Sequence, residues 1–218
     1  MIKVNNKLIK ILKTVHKASC PYDVNFHCHS TYSDGSLNPL ELYKQANNLQ
    51  FKNLAITDHH SIQAYKDICQ YISQLEESKY RSTNIWPGIE ITGILRGCLV
   101  HIIGLGFDTK STYMDPYTKG NSLSGNLLQA NQIISAISKS DGLSFLAHPA
   151  RYRLPFDVLI EEAYSIGFDG VEVWYDYDRS SVWQPSLFVC EKINDLISKY
   201  NMLKSCGTDT HGLSLLSR

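Results

Sequence analysis

Several features are missing from this chain, and each absence narrows what it can be. None of its six cysteines (Cys20, Cys28, Cys69, Cys98, Cys190 and Cys206) forms a C-x-x-C pair. That excludes zinc-finger and dithiol redox spacings. Charge of one sign is not in surplus: 21 Lys and Arg balance 21 Asp and Glu. A chain without a global positive field is not expected to hold duplex DNA non-specifically. No apolar run approaches the ~18 residues of a membrane span. The first residues carry charges at short intervals and lack the uninterrupted apolar region of a secretory signal. At 218 residues the chain can bury a core without disulfide staples, so free thiols in a reducing compartment are expected. Hydrophobic residues make up 43% and charged residues 19%. That suits one soluble globular domain and excludes a disordered chain.

The segment 1–18 places Val4, Leu8, Ile11, Leu12 and Val15 at helical spacing, with Lys3, Lys7, Lys10 and Lys17 mostly opposite. This predicts a basic amphipathic helix, expected to pack its apolar face on the body of the domain. The organisation expected is residues 1–20 as this helix and 21–218 as one domain. Strand and helix patterns then alternate. Strands are predicted over Val24–Ser30, Asn53–Thr57, Ile85–Ile94, Leu99–Phe107, Leu143–Ala147, Gly170–Trp174 and Lys204–Thr208. Helices are predicted over Pro39–Leu49, Ser61–Glu77, Leu127–Ser138, Phe156–Ser165 and Phe188–Tyr200, and 108–126 reads as a polar loop. This rhythm predicts an α/β fold with a largely parallel sheet, open or closed into a barrel.

The chemistry is read from where the histidines fall. Of the eight, only His16 lies away from a predicted strand or the residues just after one. His27 and His29 stand at i and i+2, so both imidazoles point one way, an arrangement that suits a metal ion. Asp34 follows in a Ser-Asp-Gly turn. AITDHHS ends a strand in Asp58, His59 and His60. Asp58 could orient His59 or cap the next helix, and His60 could touch substrate. PGIEI puts Glu90, and LVHIIG puts His101, in otherwise apolar strands, where a carboxylate needs a partner. His148 ends a strand before Pro149, and Asp209 and His211 repeat the i, i+2 spacing. Six histidines and three acids thus gather at strand ends, which favours a multinuclear site with N and O ligands. Arg151 and Arg153 lie just beyond His148 and could bind phosphate bidentately. Trp174, Tyr175, Tyr177, Trp183 and Tyr152 could stack a base or pack the rim. Glu172 alternates with Val171 and Val173 as an outer-shell group or a buried polar partner.

Taken in order, FHCHSTYSDG, AITDHHS, PGIEI, VHIIG, AHPAR and GTDTH resemble the PHP (polymerase and histidinol phosphatase) superfamily of metal-dependent phosphoesterases. The resemblance runs from about Asn25 to His211. It implies a distorted (β/α)7 barrel with three divalent metal ions at the C-terminal ends of the strands, of manganese, zinc or iron. It implies that His27, His29, Glu90 and Asp209 hold one ion, that Glu90, His101 and His148 hold a second, and that Asp34, His59 and His211 hold a third. Asp209, Glu90 and Arg151 are the catalytic residues expected.

The implied activity is hydrolysis of phosphate esters by a metal-bridging hydroxide. The substrates implied are nucleotides or short oligonucleotides. The alternatives are a phosphatase of a small metabolite such as histidinol phosphate, and a non-catalytic metal-stabilised binding module. The nucleotide-acting branch commonly carries a helical insertion between the fourth and fifth strands, where this chain has only Asp108–Gly142. The chain looks closer to compact stand-alone members of the cyanobacterial and plastid kind, which implies cytoplasm or plastid stroma.

Overall fold

The computed structural model describes residues 2–75, 83–120 and 123–218. Val4 and Lys3 have side chains outside this description, as do residues 76–77 of the predicted third helix and 121–122 of the polar loop. The chain has an α/β fold. Its helices are α1 (Ile2–Leu12), α2 (Pro39–Asn48), α3 (Gln63–Ser73), α4 (Ala130–Lys139), α5 (Phe156–Ile166) and α6 (Leu187–Lys199). Its strands are β1 (Asn53–Leu54), β2 (Asn84–Ile85), β3 (Gly88–Leu95), β4 (Cys98–Leu105), β5 (Leu143–Leu146), β6 (Gly170–Trp174) and β7 (Leu203–Cys206). Short 3-10 turns punctuate the polar loop at Thr112–Tyr117 and Gly125–Leu128, and a third spans Pro149–Arg151.

Local chemistry sets several of these boundaries. α2 begins with Asn38 as N-cap, Pro39 in the first turn, and Glu41 returning a bond to the cap amide. That satisfies amides the helix itself cannot. α5 ends on Gly167 at φ 97°, a left-handed cap open to glycine at little cost. An isolated helix as short as α1 is marginal in water. It is held because Leu8 and Leu12 are fully buried and Val15 nearly so, all within the main core. Each buried leucine contributes about 2 kcal/mol. Lys7 and Lys10 stay exposed, as the amphipathic pattern predicts, but the helix ends at Leu12, short of the expected 1–20, and Val15 and Lys17 lie beyond it.

The largely parallel sheet expected from the rhythm is corrected by the structure. Two sheets are present among the described residues: β1–β2, and β3–β4–β5–β6–β7 in sequence order. β1–β2, β5–β6 and β6–β7 are parallel, whereas β3–β4 and β4–β5 are antiparallel. The cause lies between Leu95 and Cys98. Only Arg96 and Gly97 intervene, both at positive φ (50° and 69°). That is the geometry of a two-residue hairpin, and two residues cannot make a parallel crossover.

A second correction concerns Val24–Ser30. This segment is not a continuous strand; it forms isolated bridges, Asn25 to Leu54 and Cys28 to Thr210. Its backbone bonds nonetheless run to both sides. Asn25 N donates to Asn53 O (2.9 Å) and Thr57 N to Cys28 O (2.8 Å), while Phe26 N donates to Cys206 O (2.9 Å) and His29 N to Thr210 O (3.0 Å). The ladder is interrupted because the Asn25 side chain takes a rung itself. Its Oδ1 accepts from Thr208 N at 3.1 Å, and its Nδ2 donates to Thr208 Oγ1 at 3.0 Å.

The chain beyond β7 is pressed against this segment at Gly207. A Cβ built there would lie 2.2 Å from His27 Cβ and 2.4 Å from His27 N. Gly207→Ala is therefore expected to lower unfolding stability by about 2 kcal/mol or more, read as a reduced urea midpoint. A midpoint equal to wild type would show that the two backbones are not locked together here.

Candidate metal centre

Five stretches of backbone converge to build the site. His27 and His29 come from the segment that bridges β1 and the chain after β7. Glu90 and His101 come from β3 and β4. Thr92 is registered opposite His101, and Glu90 stands two residues from Thr92. The strand period of two therefore puts Glu90 and His101 on one face. His148 follows β5, and Asp209 and His211 follow β7. His59 lies beyond β1, bridged in parallel to Glu90.

Glu90 is at the centre and is 1% exposed. Its Oε1 lies 3.0 Å from His101 Nδ1 and 3.3 Å from His148 Nε2. Its Oε2 lies 3.2 Å from both His27 Nε2 and His29 Nε2, and 3.5 Å from His59 Nδ1. Asp209 Oδ1 lies 3.2 Å from the same Nε2 atoms of His27 and His29. The outer part gathers around Asp34, whose Oδ2 is 3.2 Å from His211 Nε2 and 3.6 Å from His59 Nε2.

These contacts are close but are poor hydrogen bonds. His27 Nε2, His29 Nε2, His59 Nδ1 and Glu90 Oε1 are buried without a hydrogen-bond partner. Buried polar atoms are rarely left so. Ligand atoms of His27, His29, Glu90 and Asp209 lie mutually within 4.8 Å, as do those of His29, Asp34, His59 and His211, and of His59, Glu90 and His101. Converging imidazoles and carboxylates with orphaned lone pairs fit divalent cations.

Charge and tautomer agree with that fit. Burial works against a charged Glu90, but His27 and His101 outweigh it and hold the carboxyl well below its usual range. Asp209 is buried too, and His27 and His29 hold it low in the same way. Burial opposes a charged His29, yet Asp209 and Glu90 raise it to about 9, so a cation bound there would displace that proton. Burial pushes His59 down to about 4 with His29 and His101 beside it, leaving it neutral at pH 7. His27 Nδ1 donates to Glu172 Oε1 at 2.9 Å, which turns its Nε2 lone pair toward Glu90 and Asp209. His211 Nδ1 donates to the Asp209 carbonyl at 2.8 Å, freeing its Nε2 toward Asp34.

The remaining sequence candidates separate. Arg151 lines the cavity of about 280 Å³ over the cluster, donating to Asp209 Oδ2 (3.1 Å) and Tyr175 Oη (3.0 Å). Arg153 turns away and donates to the Gly97 carbonyl in the β3–β4 turn, so a phosphate role is corrected. Trp174, Tyr175 and Trp183 are buried and cannot offer a stacking face. Tyr152 instead accepts from His101 N at 2.7 Å. His60, at φ 53°, lines a neighbouring cavity of about 470 Å³, while His16 accepts from Ala18 N far from the cluster. Asp58 neither caps α3, whose N-cap is Ile62, nor bonds His59.

Sequence reasoning left Glu172 open and did not single out Arg218. Glu172 is buried and bonds His27 Nδ1 and, through Oε2, His148 N (2.8 Å). Its signal was an acid alternating between valines. Arg218 Nε donates to Asp209 Oδ2 at 3.0 Å, and no pattern in the sequence marked it. Tyr175 Oη donates to the same Oδ2 at 2.6 Å.

The chain resembles known proteins along these lines. Residues 25–169 match the model of the PHP domain. Over 87 residues, 40% of this chain and 28% of the relative, it is 36% identical to the 5'-3' exoribonuclease Rnm of Escherichia coli. Over 88 residues, 40% of this chain and 29% of the relative, it is 38% identical to the 5'-3' exoribonuclease of Haemophilus influenzae. The chain thus spans less than a third of the length of either. Among solved structures, an amidohydrolase from Chromobacterium violaceum with bound sulfate and no metal aligns at a TM-score of 0.72 and 18% identity, over 88% of this chain and 89% of that one. A protein from Bifidobacterium adolescentis, put forward as a metal-dependent phosphoesterase, aligns at 0.67 and 17%, over 88% of each. These structural likenesses show the fold. The matched family model covers most of the chain, including Glu90, His101 and His148 at the centre of the cluster, and the chain belongs to the PHP domain family.

Proposed function

We propose that this chain is a metal-dependent phosphoesterase acting on nucleotides or short oligonucleotides. The observation that carries the reading is one buried carboxylate, Glu90, facing five imidazoles, three of which (His27, His29 and His59) turn unpartnered nitrogens toward it. On this reading His27, His29, Glu90 and Asp209 hold one divalent ion, Glu90, His101 and His148 a second, and Asp34, His59 and His211 a third. Divalent ions bound there would neutralise phosphoryl oxygens and lower the pKa of water toward ~7. The protein groups orient and exclude. Glu172 fixes the His27 tautomer. Tyr175, Arg151 and Arg218 all hold Asp209 Oδ2, leaving Oδ1 toward the histidines. The two guanidiniums also supply donors at the cavity wall for a phosphate group. The exoribonuclease relatives support the nucleic-acid substrate class. The bonds from segment 25–29 to both of its neighbours support a distorted (β/α)7 barrel as the frame, with α1 as an appended element.

Two outcomes are expected. With Mn²⁺, wild type should release the 3'-phosphate from adenosine 3',5'-bisphosphate or mononucleotides from a short 5'-phosphorylated RNA. Asp209→Ala should reduce that turnover by about 10³-fold, about 4 kcal/mol of transition-state stabilisation. Product analysis by anion-exchange chromatography decides, and undiminished turnover by the variant would contradict the reading. In the second, Glu172→Gln should weaken Mn²⁺ binding about 10- to 100-fold by calorimetry. Unchanged affinity would remove Glu172 from the site.

A further inference from the structure

Asp58 is fully buried, stands directly before His59 in the chain, and makes no ion pair among the described residues. All of its side-chain bonds run to a single loop, the one between His29 and Asp34. Its Oδ1 accepts from Ser30 N at 2.6 Å and Ser33 Oγ at 2.9 Å, and its Oδ2 accepts from Ser30 Oγ at 2.6 Å. A buried carboxylate is costly unless its lone pairs are met. Here they are met entirely by the loop that carries two of the candidate ligands.

The connection continues outward from Ser33. Its Oγ lies 3.2 Å from Asp34 Oδ1 and 3.4 Å from His29 Nδ1. The backbone just after this loop reaches His211, because Ser36 N donates to the His211 carbonyl at 2.8 Å. In the other direction, the Asp58 carbonyl accepts from Glu90 N at 3.3 Å. Residue 58 therefore joins the loop of His29 and Asp34 to the strand ends of His59 and Glu90. Through Ser33 and Asp34 it reaches the more exposed part of the cluster. Asp34, His211 and His59 side chains are 53%, 35% and 26% exposed, against 0–2% for His27, His29, Glu90 and Asp209. An exposed carboxylate on a turn needs an external restraint to hold a ligand geometry.

We propose that Asp58 is a positioning residue that sets, through Ser33, the outer cation site of Asp34, His59 and His211. This rests on the metal-centre reading above. The Asp58 carboxylate touches neither the cation nor substrate; it fixes the distance between the loop and His59.

The test is calorimetric titration of the full chain, stripped of metal, with Mn²⁺, alongside metal analysis after dialysis. Asp34→Asn defines the isotherm that has lost the outer site. Asp58→Asn should shift toward that isotherm, with outer-site affinity down about 10- to 100-fold and the inner sites unchanged. Ser33→Ala should show a smaller loss at that same site, and adding it to Asp58→Asn should produce no further loss. Circular dichroism checks the fold. Wild-type binding by a folded Asp58→Asn, or equal weakening at every site, overturns the proposal. If Asp58→Asn does not fold, Ser33→Ala decides, because it leaves both Ser30 bonds to Asp58 in place. Wild-type binding by that variant overturns the proposal. A wild-type chain that binds no Mn²⁺ overturns the metal-centre reading itself, so the two failures are distinguishable.

Discussion

Glu90 is the constraint on which the rest of the structure depends. A carboxylate 1% exposed, inside a strand of glycine, isoleucine and threonine, is tolerable only if its charge is answered. Five imidazoles from four separate parts of the chain answer it. To bring them there, β4 must return antiparallel on β3 so that His101 faces Glu90. The segment 25–29 must lie between β1 and the chain after β7 so that His27 and His29 reach Oε2. Gly207 must lack a side chain so that Asp209 can stand across from them. The fold brings imidazoles to one oxygen pair.

Around that centre is a layer of groups that orient. Glu172 turns His27, the Asp209 carbonyl turns His211, and Tyr152 holds the His101 amide. Tyr175, Arg151 and Arg218 restrain the far oxygen of Asp209. All but the Tyr152 bond restrain a side chain that would otherwise have rotational freedom. Preorganisation of this kind removes the ordering cost of assembling several ligands at once. It explains why a chain of neutral net charge concentrates so much of its ionisable chemistry in one small cavity.

Much of this was legible in the sequence because its signals are local. The i, i+2 pairs His27/His29 and Asp209/His211 announce a shared direction. Glu90 and His101 stand out against apolar neighbours. Helix boundaries such as those of α2 and α5 follow from Asn38, Pro39 and Gly167. The sheet's mixed direction was misread because strand rhythm does not encode orientation, although Arg-Gly between two apolar runs was a hairpin signal. Segment 24–30 reads as a strand from its pattern, and only the tertiary bond from Asn25 to Thr208 shows why its ladder breaks. Arg218 and Asp58 were hidden for the same reason. Their roles are defined by tertiary partners, Asp209 for Arg218 and the serines of the 30–33 loop for Asp58, and no spacing rule connects them.

The most direct test of the account is anomalous X-ray diffraction from crystals soaked in Mn²⁺, collected above and below the manganese edge. The account predicts peaks at coordination distance from Glu90, one of them shared with His27, His29 and Asp209. A hydrolytically active protein whose crystals show no peak within reach of Glu90 would contradict it.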